Sequence, residues 1–366
     1  MSDFYKQFLL EDARRLAAGA ARACFLAAFG KHPGWDDHIE DLGLETESLI
    51  IAKTLLYVEG IGGQIDSGDW EKLDPPQRLD TFKHIFVWQR GGQFLIGRMW
   101  SSSDGKGRTR YPMVVCAHCL GVSLGAALAQ VLPFLEAIER ECLLTSSAVE
   151  VKGILDRSRE GLRKAFNGSD TSGTAFLSSE SVAQLAAKSE LGPHQEGLFR
   201  IVYQMQSQMS AFAPGRFNVK TDSPDVRPQQ IRIPAFGGST AQTVLFWTRF
   251  FQCQTDPATP MLFFLPIEES WMDVTLGEPS HHELFCLRAS PKKFPLASEV
   301  PYNLSSEFMQ QATRSIQMFL QNGGAQASSA GRKPEESTSF LKRLAGLTGW
   351  GAKRAKPGEA ENVNRL

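Results

Sequence analysis

Residues 84–99 read HIFVWQRGGQFLIGRM, and the fold of the chain turns on this stretch. Two apolar runs rich in β-branched and aromatic residues, 84–88 and 94–99, flank Gly91-Gly92. That pattern predicts a β-hairpin closed by a glycine turn. Working outward, Tyr111 to Cys116 (YPMVVC) predicts a third strand. Upstream, Cys24 to Phe29 (CFLAAF) has the length of a buried strand and ends in the turn residues Gly30 and Pro33. Between these, Glu45 to Gly60 opens with acidic residues and carries a stripe of Leu49, Ala52, Leu55 and Leu56, the pattern of an amphipathic helix.

Beyond the third strand a long helix is expected from Ser123 to Leu144, kinked or divided at Pro133. Helices are also expected over 3–22, 147–166 and 178–189. From Arg200 the pattern predicts strands and loops. Val244 to Trp247 reads as the end of a helix or the start of a strand. Met261 to Pro266 (MLFFLP) and Leu284 to Arg288 read as buried strands. Strands alternating with helices over this length predict an α/β domain whose mixed sheet is covered on both faces. The expected organisation is a helical segment over 1–23, the domain over 24–321, and a linker and tail over 322–366.

Composition narrows the function. With 42% apolar residues in 366, the chain can build a core and is not a wholly disordered polymer. Its formal charge of −1 provides no overall pull toward nucleic acid, so no nucleic-acid partner is expected. The neutrality is an average: residues 332–366 hold eight basic and four acidic residues, or +4, leaving −5 for the rest. A Gly/Ser/Ala run, 323–331, precedes this tail and reads as a linker. Phe340, Leu341, Leu344, Leu347 and Trp350 with Lys342 and Arg343 could touch an anionic membrane, although a solvated tail is the simpler reading. Acidic residues at Asp3, Glu11 and Asp12 do not fit a secretory signal, and no apolar run is long enough to span a membrane. Six widely scattered cysteines then favour reduced thiols and a cytoplasmic setting.

Three segments hold residues able to do chemistry. In Gly30-Lys31-His32-Pro33-Gly34-Trp35-Asp36-Asp37-His38, two histidines and two aspartates could ligate a divalent metal, with His281-His282-Glu283 as a distant complement; the alternative is a polar turn. Cys116-Ala117-His118-Cys119 is a CxxC between a strand and a helix, with a redox reading and a packing reading. Ser101 to Arg108 is a glycine-containing polar loop with Lys106 and Arg108, able to hold an anion, yet it lacks the ending of a phosphate-binding P-loop. No catalytic set and no cofactor motif is evident.

Two of these segments, taken in order, resemble the TagF (ImpM) family of type VI secretion-associated proteins. That family's G-K-x-P-x-x-x-D pattern corresponds to Gly30, Lys31, Pro33 and Asp37. Its S-x-D-x-x-G-R-x-[FY]-P pattern corresponds, with irregular spacing around the Ser and one extra residue before the Tyr-Pro pair, to Ser103, Asp104, Gly107, Arg108, Tyr111 and Pro112. Val244–Trp247 and Met261–Leu265 look like the family's Trp-containing segment and closing strand, so the resemblance covers about 24–295. It implies a three-layer α/β/α sandwich and a non-catalytic repressor of type VI secretion that works through a forkhead-associated scaffold protein. Arg108 is expected to pair with Asp37 or Asp104 and tie the two loops into one rim. The alternative is a metal-dependent or phosphate-binding enzyme using His32, Asp36, Asp37, His38 and Arg108.

Overall fold

The structure is a computed structural model, and it describes residues 22–168, 196–209, 212, 227–235, 239–256 and 258–322. The chain divides into compact units 1–328 and 329–366, the second wholly outside the described residues. Of the helix expected over 3–22 only Arg22 is described, and it is not helical; the helix expected over 178–189, the 323–331 linker and the basic tail lie outside the described residues.

The 84–99 stretch folds as expected into strands β2 (Lys83–Arg90) and β3 (Gln93–Ser101). Gly91 and Gly92 turn the chain with φ of 54° and 82°, a left-handed pair that side chains with a Cβ resist. Around this hairpin lie β1 (Ala23–Gly30), β4 (Pro112–Leu120), β5 (Gln229–Pro234), β6 (Met261–Pro266) and β7 (Trp271–Leu276). They form a seven-stranded sheet in the order β1-β4-β3-β2-β6-β7-β5. The expected mixed sheet is corrected here: every pairing is antiparallel. The neighbouring pairs β2/β3, β3/β4 and β6/β7 are joined directly by turns and loops, and parallel neighbours would need long crossovers instead.

Each strand alternates between two cores, which makes three layers. Ile85, Val87, Ile96, Val115 and Phe263 face one core; Phe86, Trp88, Leu95, Val114 and Phe264 face the other. Over the first face pack α3 (Leu124–Cys142), α4 (Ala148–Gly168), α5 (Glu196–Gln208), α6 (Thr240–Gln254) and α7 (Ser306–Asn322). The second face is covered by a continuous helical span. It runs through α1 (Glu47–Ala52), a π-helical stretch Lys53–Gly62 and α2 (Gly63–Ser67), and is joined by a 3-10 helix, His281–Arg288. Thr46 caps the start of α1 by accepting from the Leu49 N–H, so Leu49, Ala52 and Leu56 turn inward as their spacing predicts.

Four sequence expectations change. Pro133 does not divide α3; it and Ala129, whose carbonyl loses its partner, both face solvent, where water can bond the freed oxygen. The region after Arg200 is not all strands and loops, since Glu196–Gln208 is the helix α5. Val244–Trp247 lies inside α6, where Trp247 donates to the Pro234 carbonyl at 2.8 Å. Leu284–Arg288 belongs to the 3-10 helix rather than a strand, because Ser280 and Glu283 form a capping box that starts helical winding. The seventh strand, Trp271–Leu276, hid in sequence behind polar Asp273 and Thr275, both buried.

Candidate functional site

The rim at one end of the sheet is a consequence of topology. β1 and β4 are antiparallel neighbours, so the end of β1 and the start of β4 meet, with Gly30 opposite Met113. Gly30 has φ 108°, and a Cβ there would overlap the Pro112 carbonyl oxygen and lie 3.2 Å from Met113 Cα. Only glycine fits that turn. Lys31 then donates its N–H to the Pro112 carbonyl at 3.1 Å, and Ile39 donates to the Gly30 carbonyl at 2.7 Å. Pro112 opens β4, the first residue of the strand, where a proline is tolerated.

This crossing brings both motif loops into one ionic network. The Lys31 side chain is 4% exposed, and its Nζ donates to Asp104 at 2.5 Å and Asp37 at 3.3 Å. Asp104, wholly buried, also accepts from the backbone N–H groups of Lys106 and Arg108, each at 3.0 Å, and from Arg108 Nε at 2.6 Å. Arg108 extends outward, and its Nη2 donates to Asp37 at 2.9 Å and to the Asp36 carbonyl at 3.0 Å. Arg108 therefore pairs with both aspartates and joins the loops. Gly107, at φ 76°, closes the second loop by donating to the Asp104 carbonyl, and Gly105 donates to the Trp35 carbonyl at 2.7 Å. Pro33 sits beside this contact, its carbonyl against Gly105.

The electrostatics follow from these bonds. Burial works against ionising Asp104, but the Lys31 ammonium, the Arg108 backbone and guanidinium and the Lys106 N–H outweigh it and hold its carboxyl well below the usual range. The hydrogen bond from Lys31 chiefly lowers Asp37, assisted by the charges of His38 and Arg108. Two cations and two anions leave the network neutral, with Asp104 and Lys31 inside and Asp37 and Arg108 at the surface.

An aromatic floor supports it. His38 contacts Asp37 through Nδ1 at 3.1 Å and stands edge-on to Tyr57 and Tyr111, with Lys31 5.7 Å from the centre of the Tyr111 ring. Tyr57 reaches the rim from the π-helical stretch; its hydroxyl is buried without a partner, and burial pushes its pKa up. Nothing in the sequence marked Tyr57, because only the helix-to-sheet packing brings it under the loops.

The proposed metal ligands are not gathered. His32 is buried and turned toward α3: Gly34 N–H donates to Nδ1 at 3.0 Å, and Nε2 meets the Cys142 carbonyl at 3.1 Å. Burial lowers its pKa, the Cys142 bond only partly opposing this, so it is a neutral structural histidine. His281 and His282 stack on each other while Glu283 is held in the Ser280 cap. Among the described residues no three His, Cys, Asp or Glu side chains stand close enough to hold a metal ion. The CxxC is also separated: residues three apart on a strand face opposite ways, and Cys116 and Cys119 enter different cores.

A groove of about 280 Å³ lies between residues 40–42 and α4, and its charges are paired, Glu40 with Lys152, Asp156 with Arg159, and Asp41 with Lys53 outside the groove. A second polar centre was unreadable in sequence. Arg232 on β5 lies directly opposite Asp273 on β7, fully buried and bidentate at 2.8 Å, with its guanidinium 3.6 Å from the Trp271 ring centre.

Fold and site together define an antiparallel α/β/α sandwich with a self-neutralised, ion-paired rim. No family model, curated protein or solved structure matches the chain. No described helix is long and apolar enough to cross a membrane.

Proposed function

We propose that this chain is a TagF-like, non-catalytic adaptor that represses a type VI secretion apparatus in the cytoplasm by binding a forkhead-associated scaffold. The observation supporting this reading is the convergence of the two motifs behind the resemblance. Gly30, Lys31, Pro33 and Asp37 in one loop and Asp104, Gly107, Arg108 and Pro112 in the other share one rim. The buried half of that network shapes the loops. The exposed half, Asp37 at 62% and Arg108 at 51%, presents a fixed charge pattern suited to recognising a protein surface. Because Lys31, Asp37, Asp104 and Arg108 are already partnered with one another, binding rather than proton transfer is the chemistry they favour.

The experiment is affinity capture of secretion components from a lysate of the source cells, with wild type and an Asp37→Ala/Arg108→Ala variant of matched thermal stability. Capture of the scaffold by wild type, reduced at least tenfold in the variant, is expected. Equal capture by the folded variant, or wild type recovering no secretion component, overturns the reading.

A further inference from the structure

The six cysteines are all free thiols, and two of them face each other across the sheet. Cys24 on the edge strand β1 is the direct partner of Cys119 on β4. The hydrogen-bond phase of β1 specifies the kind of pairing. Ala28 exchanges both backbone bonds with Leu42, on the side away from β4, whereas Lys31 donates toward β4. Cys24 shares the parity of Ala28, so its backbone groups also point away from β4, and Cys24–Cys119 is a non-hydrogen-bonded pair. Side chains approach most closely at such positions, with Cα atoms about 4.5 Å apart. That separation falls within the span a disulfide can bridge, roughly 4.4–6.8 Å. Both side chains turn to the same core, beside Phe94, and the two thiols are hydrogen-bonded to each other. Cys116 is excluded, since it lies in the opposite core.

We propose that Cys24 and Cys119 are a modification site: a dithiol that peroxide converts to a reversible cross-strand disulfide. Cys24 is half-buried and Cys119 fully buried, so oxidant enters at Cys24. Burial and the neighbouring thiol keep Cys119 protonated well above the usual thiol range, which leaves it as the resolving partner. In the first step the Cys24 sulfur attacks hydrogen peroxide; the O–O bond breaks, an S–O bond forms, and a sulfenic acid and one water result. In the second step the Cys119 sulfur displaces the sulfenic hydroxyl, which leaves with the Cys119 proton as a second water while the S–S bond forms. Two thiols are oxidised by two electrons and one peroxide is reduced. The bridge pins the register of the strand that ends in Gly30 and Lys31, and so braces the rim from the far end of β1 and β4.

The test treats the full-length protein with hydrogen peroxide, alkylates it under denaturing conditions and maps peptides without reduction. Loss of two of the six thiols, a linked peptide pair carrying residues 24 and 119 and lacking two hydrogens, and full reversal by dithiothreitol are expected. Cys253→Ser, which removes the exposed thiol able to link two molecules, should give the same linked pair, and Cys24→Ala should abolish it. Accumulation of Cys24 sulfinic acid with Cys119 still alkylatable, or equal thiol loss in Cys24→Ala, overturns the proposal. The wild-type map decides the matter even if a variant fails to fold.

Discussion

Asp104 receives four hydrogen bonds from Lys31, Lys106 and Arg108, and each favours its ionised form. Its folded pKa is depressed, so the stability it contributes is present above the unfolded value, about 3.9, and is lost as pH falls toward the lower folded value. Asp104→Asn should lower the urea midpoint at pH 7, and the loss should shrink as pH falls from about 4 toward 2. A variant midpoint that tracks wild type at every pH would show that the carboxylate does not organise the rim. Sequence reading singled out Asp104, Arg108, Lys31 and Asp37 from motif order, and it anticipated the Arg108 pairings. It could not see that Lys31 is buried, because a lysine after a strand is ordinarily solvated.

At the scale of elements, Gly97 and Phe86 face each other across the β2–β3 hairpin. A Cβ on Gly97 would overlap the Phe86 ring and lie 2.8 Å from Cys116 Cβ. Gly97→Ala should therefore destabilise by about 1–3 kcal/mol through overpacking. Phe86→Leu added to Gly97→Ala should recover part of that loss, a coupling measurable by denaturant unfolding of the four variants. Strictly additive losses would mean the clash is not with this ring. The hairpin itself was legible in sequence because its glycine turn and apolar runs are local. The 3-10 helix over 281–288 was not: its apolar residues read equally well as a strand, and only the Ser280–Glu283 cap decides between them.

Across the whole molecule, the Arg232–Asp273 pair joins β5 to β7, and Arg232 also donates to the Phe294 carbonyl, tying the far edge of the sheet to the segment that follows it. Burial raises the Asp273 pKa while Arg232 opposes it. Asp273→Ala strands a buried guanidinium and should cost about 3–5 kcal/mol, whereas Arg232→Met/Asp273→Leu should cost less than that single change. Thermal unfolding of the three proteins checks the order; a double variant less stable than Asp273→Ala would refute this account.

What the amino-acid sequence determined alone was local: the hairpin at 84–99, the strands at 24–29 and 261–266, the amphipathic helix expected over 45–60, and the two loops that carry the resemblance. Each depends on periodicity or turn chemistry within a few residues. Only the tertiary structure decided that the sheet is antiparallel throughout, that β1 lies against β4, and that Tyr57 floors the rim. It alone set Cys24 opposite Cys119 and Arg232 opposite Asp273. The physical reason is register: a strand's alternation says which face a side chain takes, but which residue stands across from it depends on the packing of segments distant in sequence.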